Sequence, residues 1–173
     1  ELGEIQLEYF EQPVRTITEL KELKSEIARK GLNTKIAADE SIRKVTDPFL
    51  VAKEQAADIA VLKVQPLGGI EIAAAIAQES GLEIVVSSAL ESSLGIAQGL
   101  QLAASLENLH YDCGLWTQNL LTDDIVKEPL EVVDARIKVS VPEVDDDKLE
   151  TYRAPKEREE FWLSRIERCL GLL

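Results

Sequence analysis

Methionine is absent from all 173 residues, histidine occurs once and cysteine twice. Cys113 and Cys169 are too few for a disulfide framework and lack the paired spacing of a metal site. The expected state is therefore two reduced thiols in a cytoplasmic protein. Basic residues are also scarce: 19 Lys+Arg stand against 32 Asp+Glu, a net charge of −13. No basic face is available for phosphates, which excludes a nucleic-acid binder, and an anionic membrane surface would repel the chain. No apolar run approaches the ~18 residues of a membrane span; the longest candidate, 70–77, is broken by Glu71. The first residues, Glu1-Leu-Gly-Glu, carry neither an initiator Met nor the regions of a signal peptide, and the expectation is that they belong to a longer protein. Hydrophobic residues at 45% and charged residues at 29% exclude disordered and fibrous classes.

What is present is a short apolar run followed by a helical run, repeated. The first run is 5–10, closed by Glu11-Gln12-Pro13. Thr16-Ile17-Thr18-Glu19 has the spacing of a capping box, and Ile17, Leu20, Leu23 and Ile27 follow at close to the helical period until Gly31. The second run, 35–38, leads into Asp39-Glu40-Ser41; Asp47-Pro48 then reads as N-cap and first-turn proline of a helix to about Gln55. The third run, 59–64, ends in Gln65-Pro66-Leu67-Gly68-Gly69 before a helix from Ile70 to Ser80. The fourth, 84–86, leads through Ser87–Glu91 into a helix over about 94–106. A weaker fifth strand is expected around 111–115.

Alternating strands and helices predict an α/β fold with a parallel sheet, its strands covered on both faces. The polar residues stand at the strand ends: Glu11, Asp39, Lys63 and Ser88, with Gly114 a similar distance further on, in the fifth. In a (β/α) barrel all strand C-termini point to one face, so these groups would converge. Lys63 between Leu62 and Val64 is the clearest case, since an ionisable group on an apolar strand is costly unless used or paired. A barrel needs eight βα units, and this chain offers about five, so the expectation is a partial barrel over 1–121. Residues 122–173 change character. Residues 123–160 hold 13 acids against 7 bases, with a possible strand at 136–141 and Asp145–Asp147 as solvated surface. A helix over about 157–170 begins acidic and ends basic, as its dipole favours, and its stripe of Phe161, Trp162, Ile166, Cys169 and Leu170 is expected to dock on the body.

Two carboxylates, Glu11 and Asp39, suit two ligands of a hard cation such as Mg²⁺, with Lys63 facing the same space for proton transfer or as a cation opposite developing negative charge. Removal of a proton α to a carboxylate is the chemistry such a set fits. Spacing alone equally allows Glu11 and Asp39 to be ordinary loop acids. His110 reads as a loop or packing residue, and Gly68-Gly69 as a tight turn.

Glu11-Gln12-Pro13, Ala38-Asp39-Glu40-Ser41 and Leu62-Lys63-Val64 resemble successive strand ends of the enolase superfamily, muconate-lactonizing subgroup. The stretch Ser87-Ser88-Ala89-Leu90-Glu91-Ser92-Ser93-Leu94-Gly95 resembles the next strand end in its o-succinylbenzoate synthase family. Cys113-Gly114-Leu115, Arg153-Ala154-Pro155 and Phe161-Trp162 resemble actinobacterial-type members. The resemblance implies strands four to eight of the barrel, Glu11 and Asp39 as the second and third metal carboxylates, and Mg²⁺ (or Mn²⁺) as cofactor. It implies Lys63 as the catalytic lysine, and Ser87, Ser88, Ala89 and Gly114 against a small carboxylate substrate. The implied reaction dehydrates 2-succinyl-6-hydroxy-2,4-cyclohexadiene-1-carboxylate to 2-succinylbenzoate in menaquinone biosynthesis. The family's capping domain, its Lys-x-Lys base and its first metal ligand are not in this sequence, so the 173 residues alone are expected to be inactive. An N-succinylamino acid racemase or dipeptide epimerase of the same superfamily is the alternative. Outside enzymes stand an open α/β ligand-binding module and a half-barrel that needs a complementary chain.

Overall fold

Four short strands build the body in the computed structural model, which describes Ile5 and residues 7–172. They are β1 (Tyr9–Glu11), β2 (Lys35–Ala38), β3 (Ile59–Lys63) and β4 (Glu83–Ser87), all parallel and paired in chain order. The crossovers are α1 (Ile17–Arg29), α2 (Asp47–Lys53), and α3 (Val64–Leu67) with α4 (Ile70–Glu79); α5 (Ser93–Ser105) follows β4. The run expected over 5–10 is shorter than predicted at its start, and its Gln6 lies outside the described residues. The fifth strand is reduced to one parallel bridge, Ser87 with Gly114, where the Gly114 N–H donates to the Val86 carbonyl at 2.9 Å.

Local chemistry sets the element ends. Thr16 caps α1 through the full box: its hydroxyl accepts from the Glu19 N–H, and the Glu19 carboxylate accepts from the Thr16 N–H at 2.9 Å. For α2 the cap is displaced by one residue. Thr46 holds the cap position, while the Asp47 carboxylate accepts from the Arg43 and Lys44 N–H groups and ties down the preceding turn. Val64 leaves the strand and opens α3, and Gly68 and Gly69 then take φ of +97° and +131°, the tight turn that glycine permits.

Side-chain parity divides the sheet into two cores. Ile36, Ala38, Ala60, Leu62, Ile84 and Val86 face outward, where they pack with Leu20, Val51, Ile76 and Ile96 of the helices. Ala37, Ile59, Val61 and Val85 face inward with Tyr111 and Tyr9. The inner face is closed at the strand starts by a polar network: the Glu83 carboxylate accepts from the Lys35 ammonium at 2.7 and 2.8 Å and from the Tyr111 hydroxyl at 2.6 Å. Tyr9 meets Tyr111 edge-on, with ring centroids 5.5 Å apart.

The segment beyond residue 121 is pinned by one buried carboxylate. Asp124 accepts from the Ser93 N–H at 2.9 Å and the Ser93 hydroxyl at 2.7 Å, and that hydroxyl accepts from the Leu130 N–H. Negative charge there also faces the N-terminus of α5. A small antiparallel hairpin follows, β5 (Val132–Val133) with β6 (Arg136–Ile137), turned by Asp134 and Ala135 at positive φ; the expected strand to 141 is thus cut to its first two residues. Asp145, expected as solvated surface, instead caps α6 (Asp146–Thr151) by accepting from the Lys148 N–H. The last helix, α7 (Lys156–Leu170), has the expected charge order, but the docking expected of its apolar stripe is corrected: none of its residues is buried. Phe161 and Trp162 pack edge-to-face on each other, with Arg158 and Arg165 over the rings, so the stripe is covered in part by its own helix.

Two outcomes follow from these contacts. Asp124→Ala should cost about 2–3 kcal/mol in urea unfolding, because it strands the Ser93 donors, and Asp124→Asn should cost less than half of that. Lys35 and Tyr111 hold the Glu83 carboxyl below the usual carboxylate range, so its contribution is present above that range and lost as pH falls through the depressed value. Glu83→Gln should therefore lower Tm near neutral pH and cost nothing in strong acid; an equal loss at both would assign the effect to packing.

Candidate active site

The inner parity that buries Ala37, Val61 and Val85 continues to the C-terminal ends of the strands. Glu11 is the last residue of β1, Asp39 follows β2, Lys63 ends β3 and Ser87 ends β4, each two residues beyond an inward-facing one. Glu11 pairs in register with Ala37, Ala37 with Ile59, and Lys63 with Ser87. In sheet register Asp39 and Lys63 thus stand two and four residues beyond Glu11.

Lys63 and Asp39 meet. The Lys63 Nζ donates to both Asp39 oxygens at 2.6 Å, with the two side chains only 14% and 7% exposed. Charges that deep are tolerated when each offsets the other's loss of hydration. The Asp39 backbone is fixed by Gln12, whose side-chain carbonyl accepts from the Asp39 N–H at 2.9 Å and the Ser41 N–H at 3.1 Å. Its amide donates to the Val14 carbonyl and the Ser41 hydroxyl, both at 2.8 Å. Gln12 itself sits at φ +35°, a left-handed conformation that a non-glycine residue holds only when its surroundings enforce it. The result couples the loop after β1 to the loop after β2. Glu11, one residue earlier, has its carboxyl pushed above the usual range, first by crowding from the protein and then by the Asp39 charge, with Lys63 opposing.

Ser87, Ser88 and Gly114 close the other side. The Ser88 hydroxyl is buried and donates to the Gly114 carbonyl at 2.9 Å, with the Thr117 hydroxyl 3.1 Å away. The Thr117 hydroxyl donates to the Ala89 carbonyl at 2.5 Å. A Cβ at Gly114 would lie 2.8 Å from the Ser87 Oγ, so a side chain there would turn that hydroxyl away. An open cavity of about 1120 Å³ lies elsewhere, in the segment lined by Lys127, Leu130, Val133, Arg136, Ile137 and Pro142, and contains none of the strand-end groups.

Sequence reading passed over Gln12, although it stands between a candidate ligand and a proline, where a side chain that satisfies loop amides is useful. Glu91 was also passed over. It is a carboxylate with a buried oxygen in the loop after β4, and Gly95 four residues later was its signal.

The donor set fits a hard cation in part. Glu11 and Asp39 offer carboxylate oxygens, and the Lys63 ammonium already occupies the cation position against Asp39. Among the described residues no group of three His, Cys, Asp or Glu side chains is close enough to complete a site. No described helix is long and apolar enough to cross a membrane.

Comparisons with known proteins show the family and the fold. The profile of the family described as Enolase C-terminal domain-like matches residues 1–143. The chain is 47% identical over 167 residues to the o-succinylbenzoate synthase of Mycobacterium tuberculosis H37Rv, covering 96% of this chain and 49% of that protein. It is 45% identical to the o-succinylbenzoate synthase of Mycobacterium leprae, covering 96% and 48%. The crystallised muconate lactonizing enzyme from Pseudomonas putida superposes with a TM-score of 0.74 at 27% identity, covering 87% of this chain and 44% of that enzyme. The chain thus spans about half the length of the curated relatives it matches.

Replacing Lys63 with Met should destabilise the fold by about 3 kcal/mol, since it strands the buried Asp39 carboxylate. Adding Asp39→Asn should recover most of that loss in urea titrations; additive losses would show that the two residues are not coupled.

Proposed function

Because this chain belongs to the Enolase C-terminal domain-like family, we propose that its strand-end site serves the dehydration that its relatives are named for, the formation of 2-succinylbenzoate. The observation that supports the reading most is the Lys63 ammonium on the inner face beside two carboxylates of adjacent strand ends. Substrate and reaction are those of a whole protein of which relatives have about twice this length. On this reading the base that takes the proton and the first metal ligand come from residues outside this sequence.

In the dehydration a proton leaves the carbon next to the substrate's ring carboxylate, and hydroxide leaves the neighbouring ring carbon as water. The electron pair released from the C–H bond forms the double bond that completes the aromatic ring. Negative charge builds on the carboxylate as the proton departs, and Lys63 faces it as a fixed positive charge. Glu11 and Asp39 would hold a Mg²⁺ ion, which when bound supplies Lewis-acid stabilisation of that same carboxylate. Gln12 keeps Asp39 in place for that role, so the ligand loop need not reorganise during the reaction. Ser87 and Gly114 line the opposite side of the inner face, where the remaining part of the substrate would lie.

The test is an assay of the intact protein with the cyclohexadiene carboxylate, with and without Mg²⁺, followed by loss of the diene absorbance and by product mass. Turnover should depend on Mg²⁺, and Lys63→Ala should lower it by about 10²-fold or more without weakening Mg²⁺ binding. Lost metal affinity in that variant would overturn the charge-stabilising role. Solvent deuterium exchange at the α carbon of an N-succinylamino acid, without dehydration, would assign the site to racemisation instead.

A further inference from the structure

Glu91 has no part in the reaction as derived above. It lies in the loop between β4 and α5, four residues past Ser87, and its Oε1 is buried without a hydrogen-bond partner. An unpartnered carboxylate oxygen is costly to bury, so its persistence calls for a use. The other oxygen, Oε2, packs against Gly95, where a Cβ would lie 2.6 Å away; a glycine there leaves room for the carboxyl. Gln65, two residues past Lys63, donates its amide to the Gly95 carbonyl at 3.1 Å and joins the loop after β3 to the first turn of α5. Lys63 and Ser87 are register partners. Lys63, Gln65, Glu91 and Gly95 therefore belong to one corner of the strand-end face. Burial pushes the Glu91 carboxyl up, and the Ala89 backbone, Gln65 and the Lys63 charge act against that push.

Lys63 meanwhile has a competing commitment. Its ammonium straddles both Asp39 oxygens, the atoms that a hard cation would need. We propose that Glu91 is the alternate partner of Lys63: when a cation takes Asp39, the Lys63 ammonium transfers to the Glu91 carboxylate and remains charged over the inner face. Glu91 is then a positioning residue that acts through Lys63. The flexible four-carbon stem of the lysine is what would swing between the two carboxylates, and the Lys63 ammonium keeps a carboxylate partner in both states. The proposal rests on the reading of Glu11 and Asp39 as cation ligands, and it accounts for the otherwise unused Glu91 oxygen.

The direct test needs no metal. In a crystal structure of the Asp39→Asn variant of the intact protein, the Lys63 Nζ should lie within about 3 Å of a Glu91 oxygen. An ammonium turned to solvent, or still held at position 39, would overturn the proposal. Mg²⁺ titration by calorimetry gives the second arm. Glu91→Gln should weaken Mg²⁺ binding about fivefold, the worth of one modest ion pair, and the effect should vanish when Lys63 is already replaced by Met. An equal loss in both backgrounds would mean that Glu91 acts on the cation by its charge alone and not through Lys63. If the wild-type protein binds no Mg²⁺, the proposed function fails, while the Asp39→Asn structure still decides the role of Glu91.

Discussion

The Lys63–Asp39 pair is the constraint around which the rest of the strand-end face is arranged. A lysine between Leu62 and Val64, on a strand whose other residues are buried, would be intolerable without a partner. The partner comes from the neighbouring strand, and its carboxylate is even more enclosed than the ammonium. For the two to meet, the turn after β2 must hold Asp39 against β3. That is the task of Gln12, which reaches across from the loop after β1 and uses its whole side-chain amide. Three consecutive strand ends are thus tied by one ion pair and one glutamine. The cost is a left-handed backbone at Gln12, held by the hydrogen bonds that its side chain makes.

The pair can sit there because the sheet has two unlike faces. Its outer face is a conventional helix-covered core, continuous from Leu20 to Leu115. The inner face is thinner, with Ala37, Ile59, Val61 and Val85 between the Lys35–Glu83–Tyr111 network at one end and the Glu11–Asp39–Lys63 group at the other. Polar groups at both ends of an apolar middle layer are what a barrel interior presents. The two ends differ in balance. At the strand starts one carboxylate is matched by an ammonium and a hydroxyl, and the result is structural. At the strand ends carboxylates outnumber the ammonium, and the charges there are not balanced among themselves.

Much of this was legible in the residues. The capping box at Thr16, the bounds of β2 and the tight turn at Gly68-Gly69 follow from local rules, because each is satisfied within a few residues of itself. The strand ends at Glu11, Asp39 and Lys63 were legible too, but the fourth residue that shares the parity of Tyr9, Ala37, Val61 and Val85 is Ser87 and not the Ser88 singled out beside them. What escaped depends on distant partners. Asp47 looks like a cap but serves the turn before it. The stretch 111–115 has the apolar character of a strand but makes a single bridge, as the close approach of Gly114 to Ser87 spends its pairing there. The apolar face of α7 has helical spacing, and spacing cannot say whether a surface exists to receive it. Asp124, which anchors the whole later segment, carries no local mark of its role.

The charge count at the strand ends bears on the kind of ligand this face can accept. Asp39 holds the one ammonium, Glu11 stands at the neighbouring strand end and Glu91 in the loop after β4, and the carboxyls of Glu11 and Glu91 are both pushed up. Burial is the first cause in each case, and at Glu11 the Asp39 charge adds to it. A face in this condition gains from positive charge, and a single added monovalent cation would leave the imbalance standing. On the proposed reading a divalent cation offsets more of it, with Lys63 staying charged and nearby after giving up Asp39. An anionic substrate can then approach a surface that is no longer negative, which a chain carrying −13 overall would otherwise repel. Cation first and carboxylate second is the order that these electrostatics favour, and it follows from the imbalance of acids over bases rather than from any one contact.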